Sequence, residues 1–380
     1  MSSTLYDTLR RRVDDGTVPG AVALVARGDD VEVVAVGSAD AGGSVPMSRE
    51  SIFRIASITK PVTAAAVLML VDEGRVALDD PIPEWLPELA EPRVMRTPAG
   101  PVEDVVPATR PITVEDLLSS RPGWGFPSDF SLPAVQSLFQ VQKDGRSLQS
   151  WPGPDTWLAR LAEVPMLRQP GEAWLYGTAS DLQGLLIARV TGRTLPEFLA
   201  ERIFEPLGMK DTAFEVPAAK RDRFTWAYNP SESGDLELAD TPDGEFGSIP
   251  RFTSGGGGLV STADDWLAFA RMLLSGGGDL LSPASVSRMT GNHLTAEQRE
   301  SAALFLEGQG WGYGGQVDMV PRDPWNVPGR YGWVGGTGTT AHLIPATDTV
   351  TILLTQVAMR NPTPTPLMRE FWRACARTGS

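Results

Sequence analysis

Residues 53–71 read FRIASITKPVTAAAVLMLV. The apolar run from Pro61 to Val71 has the length of a buried helix and is too short to cross a membrane. Ser57 and Lys60 are three positions apart, so a helix beginning here places the hydroxyl and the amine on one face, near the positive end of the helix dipole. A serine becomes a good nucleophile when a neighbouring group takes its proton, and a desolvated lysine can do so. The segment therefore predicts a nucleophile, Ser57, assisted by Lys60.

The alternative interpretation is a surface helix on which a serine and a lysine meet by chance. Two observations weigh against it. The chain has only four lysines, which makes an accidental Ser-x-x-Lys pattern less frequent. Burying an amine at the start of an apolar helix is also costly unless the amine has a partner or a function.

Two further segments carry chemistry. Residues 170–178 read PGEAWLYGT, a turn followed by a predicted helix from Leu182 to Val190. Tyr176 is either a catalytic group or an aromatic that packs on Trp174 with its hydroxyl on a backbone carbonyl. Residues 331–340 read YGWVGGTGTT, which predicts a glycine-rich turn entering a strand that continues to Ile344. Glycines in such a pattern indicate close approach of a ligand or another backbone, although an ordinary hairpin has the same composition.

Together these segments resemble the serine β-lactamase-like superfamily, in which Ser-x-x-Lys marks the nucleophile. The match is closest to the class C-like carboxylesterases known as family VIII esterases. Five other segments match the family in the same order, so the resemblance covers nearly the whole chain: VPGAV (18–22), GRVALDDP (74–81), RPITVEDLL (110–118), FEPLGM (204–209) and GGLVSTADD (257–265).

The chain departs from the family pattern at three places. Residues 119–123 read SSRPG where relatives usually have a His-Thr-Ser-Gly type sequence. The second motif is often Tyr-x-Asn, and here Thr178 replaces the asparagine, which removes an amide expected to position the substrate. Trp333 stands where β-lactamases and D,D-peptidases have a lysine or a histidine. The esterases resemble this chain in having tryptophan there.

The resemblance implies acyl transfer through a covalent intermediate on Ser57, with Lys60 and Tyr176 sharing the role of general base. It places an oxyanion hole at the backbone N–H groups of Ser57 and Gly336. The substrate-binding residues it implies are Trp333, Val334, Gly335 and Thr178. The indole of Trp333 offers one neutral donor, which suits an uncharged ester, whereas Arg121 or Arg330 could restore the missing cation if either reached the cleft.

Composition limits the possible functions. A formal charge of −14 argues against nucleic acid or an anionic membrane as a partner. Residues 1–20 lack a basic region followed by an apolar stretch, so we expect a cytoplasmic protein. The chain has one cysteine, Cys375, which excludes a disulfide within the chain, and its two histidines argue against a histidine-based metal site. We expect no cofactor. No G-x-S-x-G elbow occurs, and His342 is expected to be a strand residue. The expected partner is a small-molecule ester, and the oligomeric state is left open.

Local patterns predict four further elements. Two β-rich runs joined by Gly28-Asp29-Asp30 predict a hairpin, and the β-branched stretch from Thr349 to Thr355 predicts a strand. Apolar residues recurring every four positions predict a closing helix from Pro366 to Ala376. Residues 91–110 are expected to form a long surface loop.

The expected fold is mixed α and β, with an antiparallel sheet flanked by helices and an inserted, mostly helical domain. We predict a discontinuous α/β domain formed by residues 1–80 and 246–380, a helical domain formed by residues 81–245, and an active site in the cleft between them. Four functions remain open at this stage: a carboxylesterase, a β-lactamase or D-amino-acid peptidase, an acyltransferase of secondary metabolism, and a catalytically silent binding protein on the same scaffold.

Overall fold

The computed structural model describes residues 2–142 and 147–377. Within them the α-helices are Ser2–Asp14 (α1), Lys60–Asp72 (α2), Val114–Leu118 (α3), Pro133–Val141 (α4), Pro154–Glu163 (α5), Thr178–Thr191 (α6), Leu195–Leu199 (α7), Glu205–Leu207 (α8), Ala263–Leu274 (α9), Pro283–Thr290 (α10), Ala296–Ser301 (α11), Ala303–Leu306 (α12) and Pro366–Arg377 (α13). The strands are Gly20–Arg27 (β1), Asp30–Gly37 (β2), Phe53–Arg54 (β3), Arg93–Met95 (β4), Val105–Pro107 (β5), Ala227–Pro230 (β6), Leu236–Asp240 (β7), Val260–Ser261 (β8), Gly310–Trp311 (β9), Gln316–Val317 (β10), Tyr331–Gly335 (β11), Thr339–Ile344 (β12) and Thr349–Thr355 (β13).

An antiparallel sheet of seven strands, in the order β2-β1-β13-β12-β11-β10-β9, forms the centre of the molecule. The two ends of the chain build it together, because β1 pairs with β13 along its length. Helices α1, α9 and α13 pack around this sheet, and every residue of β13 is buried, so both sheet faces are covered. The predicted mixed fold with an antiparallel sheet and flanking helices is confirmed.

The segment between β3 and β8 is mostly helical and contains two small two-stranded sheets, β4–β5 and β6–β7. Helix α6 of this segment packs against α2 and α3. The start of α6 is thereby held near the start of α2, which brings the second sequence motif to the first. The domain boundaries at residues 80 and 245 stay a prediction.

Several local predictions are confirmed. Strands β1 and β2 form the predicted hairpin around Gly28, β13 coincides with the predicted strand from Thr349 to Thr355, and α13 with the predicted closing helix. No helix in the described ranges is both long and apolar enough to span a membrane.

Two local predictions were wrong. Residues 91–110 were expected to be a surface loop, but β4 and β5 pair there and the side chains of Val94 and Met95 are buried. Prolines interrupt the alternating pattern that would have revealed these short strands. Residues 331–335 were expected to be a turn, yet they form a strand of the central sheet that pairs with β12. The turn is confined to residues 336–338. The glycines before it are compatible with a strand, because neighbouring backbone comes close to them.

Candidate active site

Ser57 lies in a single 3₁₀ turn, Ala56–Thr59, that leads directly into α2. Ala56 has a φ of +43°, a left-handed conformation that is strained for a non-glycine residue and is common at functional turns. Lys60 is the first residue of α2 and is 4% exposed. Its Nζ atom lies 3.1 Å from Ser57 Oγ and 2.5 Å from the carbonyl oxygen of Gly256. The structure therefore brings the two residues of the first motif into direct contact.

Tyr176 lies two residues before α6, where its backbone pairs with that of Phe126. Lys60 Nζ is 4.7 Å from the centre of the Tyr176 ring. The ring packs on Trp174 and Phe305 at centroid distances of 5.8 Å and 4.8 Å. Its hydroxyl oxygen accepts a hydrogen bond of 2.9 Å from the indole N–H of Trp333. Tyr176 is thus a packed aromatic whose hydroxyl is held by a neighbouring side chain rather than by a backbone carbonyl.

The third motif is anchored against the residues that lead into the 3₁₀ turn of Ser57. The hydroxyl of Thr337 donates to the carbonyl oxygen of Arg54 at 2.5 Å, and that of Thr339 donates to Ile55 at 3.0 Å. A Cβ atom on Gly335 would lie 2.5 Å from the same Ile55 carbonyl oxygen, so only glycine permits this approach. Gly336 follows and lines the cleft together with Ser57. Its amide makes no backbone hydrogen bond within the described part of the chain.

A cleft of about 730 Å³ opens above Ser57, Lys60 and Tyr176. One wall is aromatic: Phe126, Phe130, Phe139 and Phe305 contact one another at centroid distances of 4.7 to 6.3 Å. Other residues that line the cleft are polar and include Arg54, whose guanidinium bonds Asp240 Oδ2 at 2.6 Å. The cleft therefore offers both an apolar surface and hydrogen-bonding groups.

The structure separates the predicted substrate-binding residues into two groups. Trp333 and Val334 line the cleft. Thr178 and Gly335 do not, which corrects that part of the prediction: Thr178 is fully buried with its hydroxyl on Gln142 Oε1, and Gly335 is covered by Ile55. The donor of Trp333 is also not free for a substrate, because Tyr176 accepts it.

Neither arginine considered as a replacement for the missing cation lies in the cleft. Arg330 is 3% exposed and pairs with Asp318 at 3.3 Å, and the Arg121 Nε donates to Ser119 Oγ at 2.9 Å. A different arginine, Arg360, lines the cleft: it is exposed and donates to the carbonyl oxygen of Ser231.

The sequence analysis missed a charged side chain next to Lys60. Asp181, in the first turn of α6, is 3% exposed and lines the cleft. Burial raises the pKa of this carboxyl, while hydrogen bonds from Ser254 and Gly256 and the charge of Lys60 act in the opposite direction. The sequence did contain a signal for this residue. Asp181 is an acid five positions after Tyr176, and every other residue between Tyr176 and Arg189 is neutral.

Comparison with known proteins identifies the family. The Beta-lactamase family model matches residues 5–367. The chain belongs to the Beta-lactamase family. Protein Rv1367c of Mycobacterium tuberculosis is 38% identical, with 92% of this chain and 88% of that protein aligned. Lovastatin esterase of Penicillium rubens is 33% identical, over 88% of this chain and 87% of the esterase. The solved structure of EstCE1, described as a hydrolase with promiscuous acyltransferase activity, superposes with a TM-score of 0.83 at 25% identity, over 99% of this chain and 98% of EstCE1. The predicted resemblance to the serine β-lactamase-like superfamily is confirmed.

Substituting Trp333 tests whether its hydrogen bond to Tyr176 matters for activity. Trp333→Phe keeps an aromatic ring but removes the N–H, so the Tyr176 hydroxyl loses the group that orients it. We expect kcat for a p-nitrophenyl ester to fall about tenfold, the effect of one hydrogen bond of about 1.4 kcal/mol. Trp372→Phe is the matched control, since Trp372 is also buried but packs on His342 behind the sheet. Equal losses in both variants would mean that the indole N–H of Trp333 has no special role.

Proposed function

We propose that the protein is a serine hydrolase that cleaves carboxylic esters through an acyl-enzyme on Ser57, with Lys60 and Tyr176 as the proton-transfer groups. The observation that carries the proposal is the 3.1 Å contact between Lys60 Nζ and Ser57 Oγ at the base of a large cleft. Nucleophile and activating group lie within hydrogen-bond reach, which is the geometric requirement for this chemistry.

The proposed reaction has two halves. Ser57 Oγ attacks the ester carbonyl carbon while its proton passes to the Lys60–Tyr176 unit. The oxyanion accepts hydrogen bonds from the N–H groups of Ser57 and Gly336, each of which can lower the barrier by about 3 kcal/mol. The tetrahedral intermediate collapses, and the leaving alcohol takes the proton. Water then attacks the acyl-enzyme, returns its proton through the same unit, and releases the acid and Ser57.

The walls of the cleft suggest the kind of ester. The four phenylalanines offer a surface for an apolar acyl or alcohol group, because aromatic side chains bury large areas and favour contacts with other rings. Trp333 supplies no positive charge at the position where β-lactamases and D,D-peptidases have a lysine or a histidine. An uncharged ester with an apolar part fits these features better than an anionic β-lactam.

We therefore expect esters to be hydrolysed far better than β-lactams. A charge-assisted hydrogen bond contributes about 1.5–3 kcal/mol, which corresponds to roughly 10- to 150-fold in kcat/KM. The test compares p-nitrophenyl butyrate with a chromogenic cephalosporin on one preparation. Arg360→Ala, measured in parallel, shows whether Arg360, which lines the cleft, supplies the missing charge, in which case only the cephalosporin value falls. A cephalosporin kcat/KM equal to or above that of the ester would support a β-lactamase instead.

An acyltransferase is the second candidate. The description of EstCE1 as a hydrolase with acyltransferase activity and a cleft of about 730 Å³, which is at the large end for small-molecule pockets, both favour it. Adding a primary alcohol to the ester assay distinguishes the two. A hydrolase releases acid in proportion to the p-nitrophenol, whereas a transferase forms the new ester in its place. Absence of turnover with every ester, together with an unlabelled Ser57, would leave a binding protein.

A further inference from the structure

Asp181 is a buried carboxylate with three hydrogen bonds. Its Oδ2 accepts from Gln142 Nε2 at 2.8 Å, and its Oδ1 accepts from Ser254 Oγ at 2.6 Å and from the backbone N–H of Gly256 at 3.1 Å. A buried charge is costly unless it is hydrogen-bonded and balanced by an opposite charge. The described structure shows no direct ion pair to Asp181. A cation that balances its negative charge therefore lies nearby without touching the carboxylate.

Lys60 provides that charge from the other side of a single residue, Gly256. The N–H of Gly256 points to Asp181, and the carbonyl oxygen of Gly256 accepts from Lys60 Nζ at 2.5 Å. A Cβ atom on Gly256 would lie 3.2 Å from Asp181 Oδ1 and 3.5 Å from Lys60 Nζ. Both charged groups therefore converge on this residue, and glycine leaves room for them.

The loop that carries Gly256 is held between helices α2 and α6. Thr63 of α2 donates to the carbonyl oxygen of Gly255 at 2.8 Å. Asp181 of α6 holds the N–H of Gly256 from the other side, assisted by Ser254. Gln142 connects the carboxylate to Thr178, whose hydroxyl donates to Gln142 Oε1 at 2.5 Å. The position of the Gly256 carbonyl, and with it the position of the Lys60 amine, depends on this set of contacts.

We infer that Asp181 is the positioning residue for Lys60, which it holds beside Ser57 through the backbone N–H and C=O of Gly256 and by opposite charge. Gln142 and Thr178 complete this arrangement where the second motif lacks its asparagine. The inference rests on the proposed function only in giving Lys60 a role in catalysis. The contact itself can be tested without any substrate.

The first test uses Asp181→Asn, which keeps the shape and removes the charge. Because the chain has only four lysines, their side-chain Cε signals can be followed one by one by NMR in protein labelled with ¹³C-lysine, and Lys60→Met assigns the signal of Lys60. At a fixed pH near neutrality we expect that signal to change its chemical shift and to broaden in Asp181→Asn, because the Gly256 carbonyl that holds the Lys60 amine loses its support. Asp265→Asn is the matched control. Asp265 is also buried and accepts hydrogen bonds from Thr212 and the N–H of Asp211, away from the cleft, so its removal should leave the Lys60 signal unchanged.

The second test is kinetic and uses an ester substrate. In Asp181→Asn we expect kcat to fall at least about tenfold with KM changed less than about threefold, because a positioning residue acts on the reacting groups rather than on substrate binding. Ser254→Ala retains the charge and loosens the Gly256 loop, so it should lower kcat severalfold in the same way, and it gives an answer if Asp181→Asn does not fold. An unchanged Lys60 signal in Asp181→Asn would overturn the inference, as would a kcat within twofold of wild type in either folded variant. A wild-type enzyme inactive on all esters, with the change in the Lys60 signal present, would refute the proposed function and leave this contact standing.

Discussion

Ser57→Ala should lower kcat for a p-nitrophenyl ester by at least about 10⁴-fold while the protein keeps its fold. If Ser57 is the nucleophile, as proposed, the variant keeps only substrate binding and the oxyanion donors, and enzymes stripped of their nucleophile lose activity on this scale. The structural cost is small, because Ser57 is partly exposed at the cleft floor and its Oγ contacts only Lys60 in the described structure.

Covalent labelling tests the same residue directly. A fluorophosphonate should add one label per chain. Trypsin cuts after Arg54 and Arg75 but not between Lys60 and Pro61, and the resulting peptide of residues 55–75 contains Ser57 as its only serine. Ser51→Ala is the control, since Ser51 lies outside this peptide and its Oγ contacts Ser48, through the backbone N–H at 3.0 Å and the hydroxyl at 3.4 Å. Labelling that persists at full stoichiometry in Ser57→Ala would remove Ser57 from the mechanism.

The contact between Ser57 and Lys60 could be predicted from the sequence because its signal is local. Ser57 and Lys60 are close along the chain, and the apolar run after them specifies the helix that places them. The same holds for β1, β2 and β13, where β-branched residues and a short turn are sufficient. The position of Tyr176 beside Lys60 was available only through the family resemblance, because it results from the packing of α6 against α2.

The network around Lys60 could not be predicted from local patterns. Its contacts connect residues far apart in sequence, Gln142, Asp181 and Ser254, and the loop at Gly256 has the composition of an ordinary turn. The identity of Trp333 showed from the sequence that this position carries no charge. It did not show that the hydroxyl of Tyr176 would accept the indole N–H, which is the only donor of this side chain. Periodicity reports which face of an element is buried, whereas hydrogen bonds between elements depend on the tertiary fold.

The geometry also predicts the behaviour of Lys60 and Tyr176 as a pair. Lys60→Met, which fills the buried site better than alanine would, and Tyr176→Phe, which removes only the hydroxyl, should each lower kcat at least about a hundredfold, since general bases contribute roughly 10²–10⁴. Tyr313→Phe is the control for the tyrosine: Tyr313 is fully buried, and its hydroxyl donates to Glu115 outside the cleft. Its kcat should stay within about threefold of wild type.

The double variant decides whether the two residues act as one unit. If one proton passes through both, removing either already interrupts the transfer, and Lys60→Met combined with Tyr176→Phe should lose little more than the worse single variant. The structure supports this expectation, because Lys60 Nζ contacts Ser57 Oγ and also lies 4.7 Å from the centre of the Tyr176 ring. Losses that multiply would show that the two groups act in separate steps. A Tyr176→Phe variant with near wild-type kcat would leave Lys60 as the only base and Tyr176 as a packed aromatic.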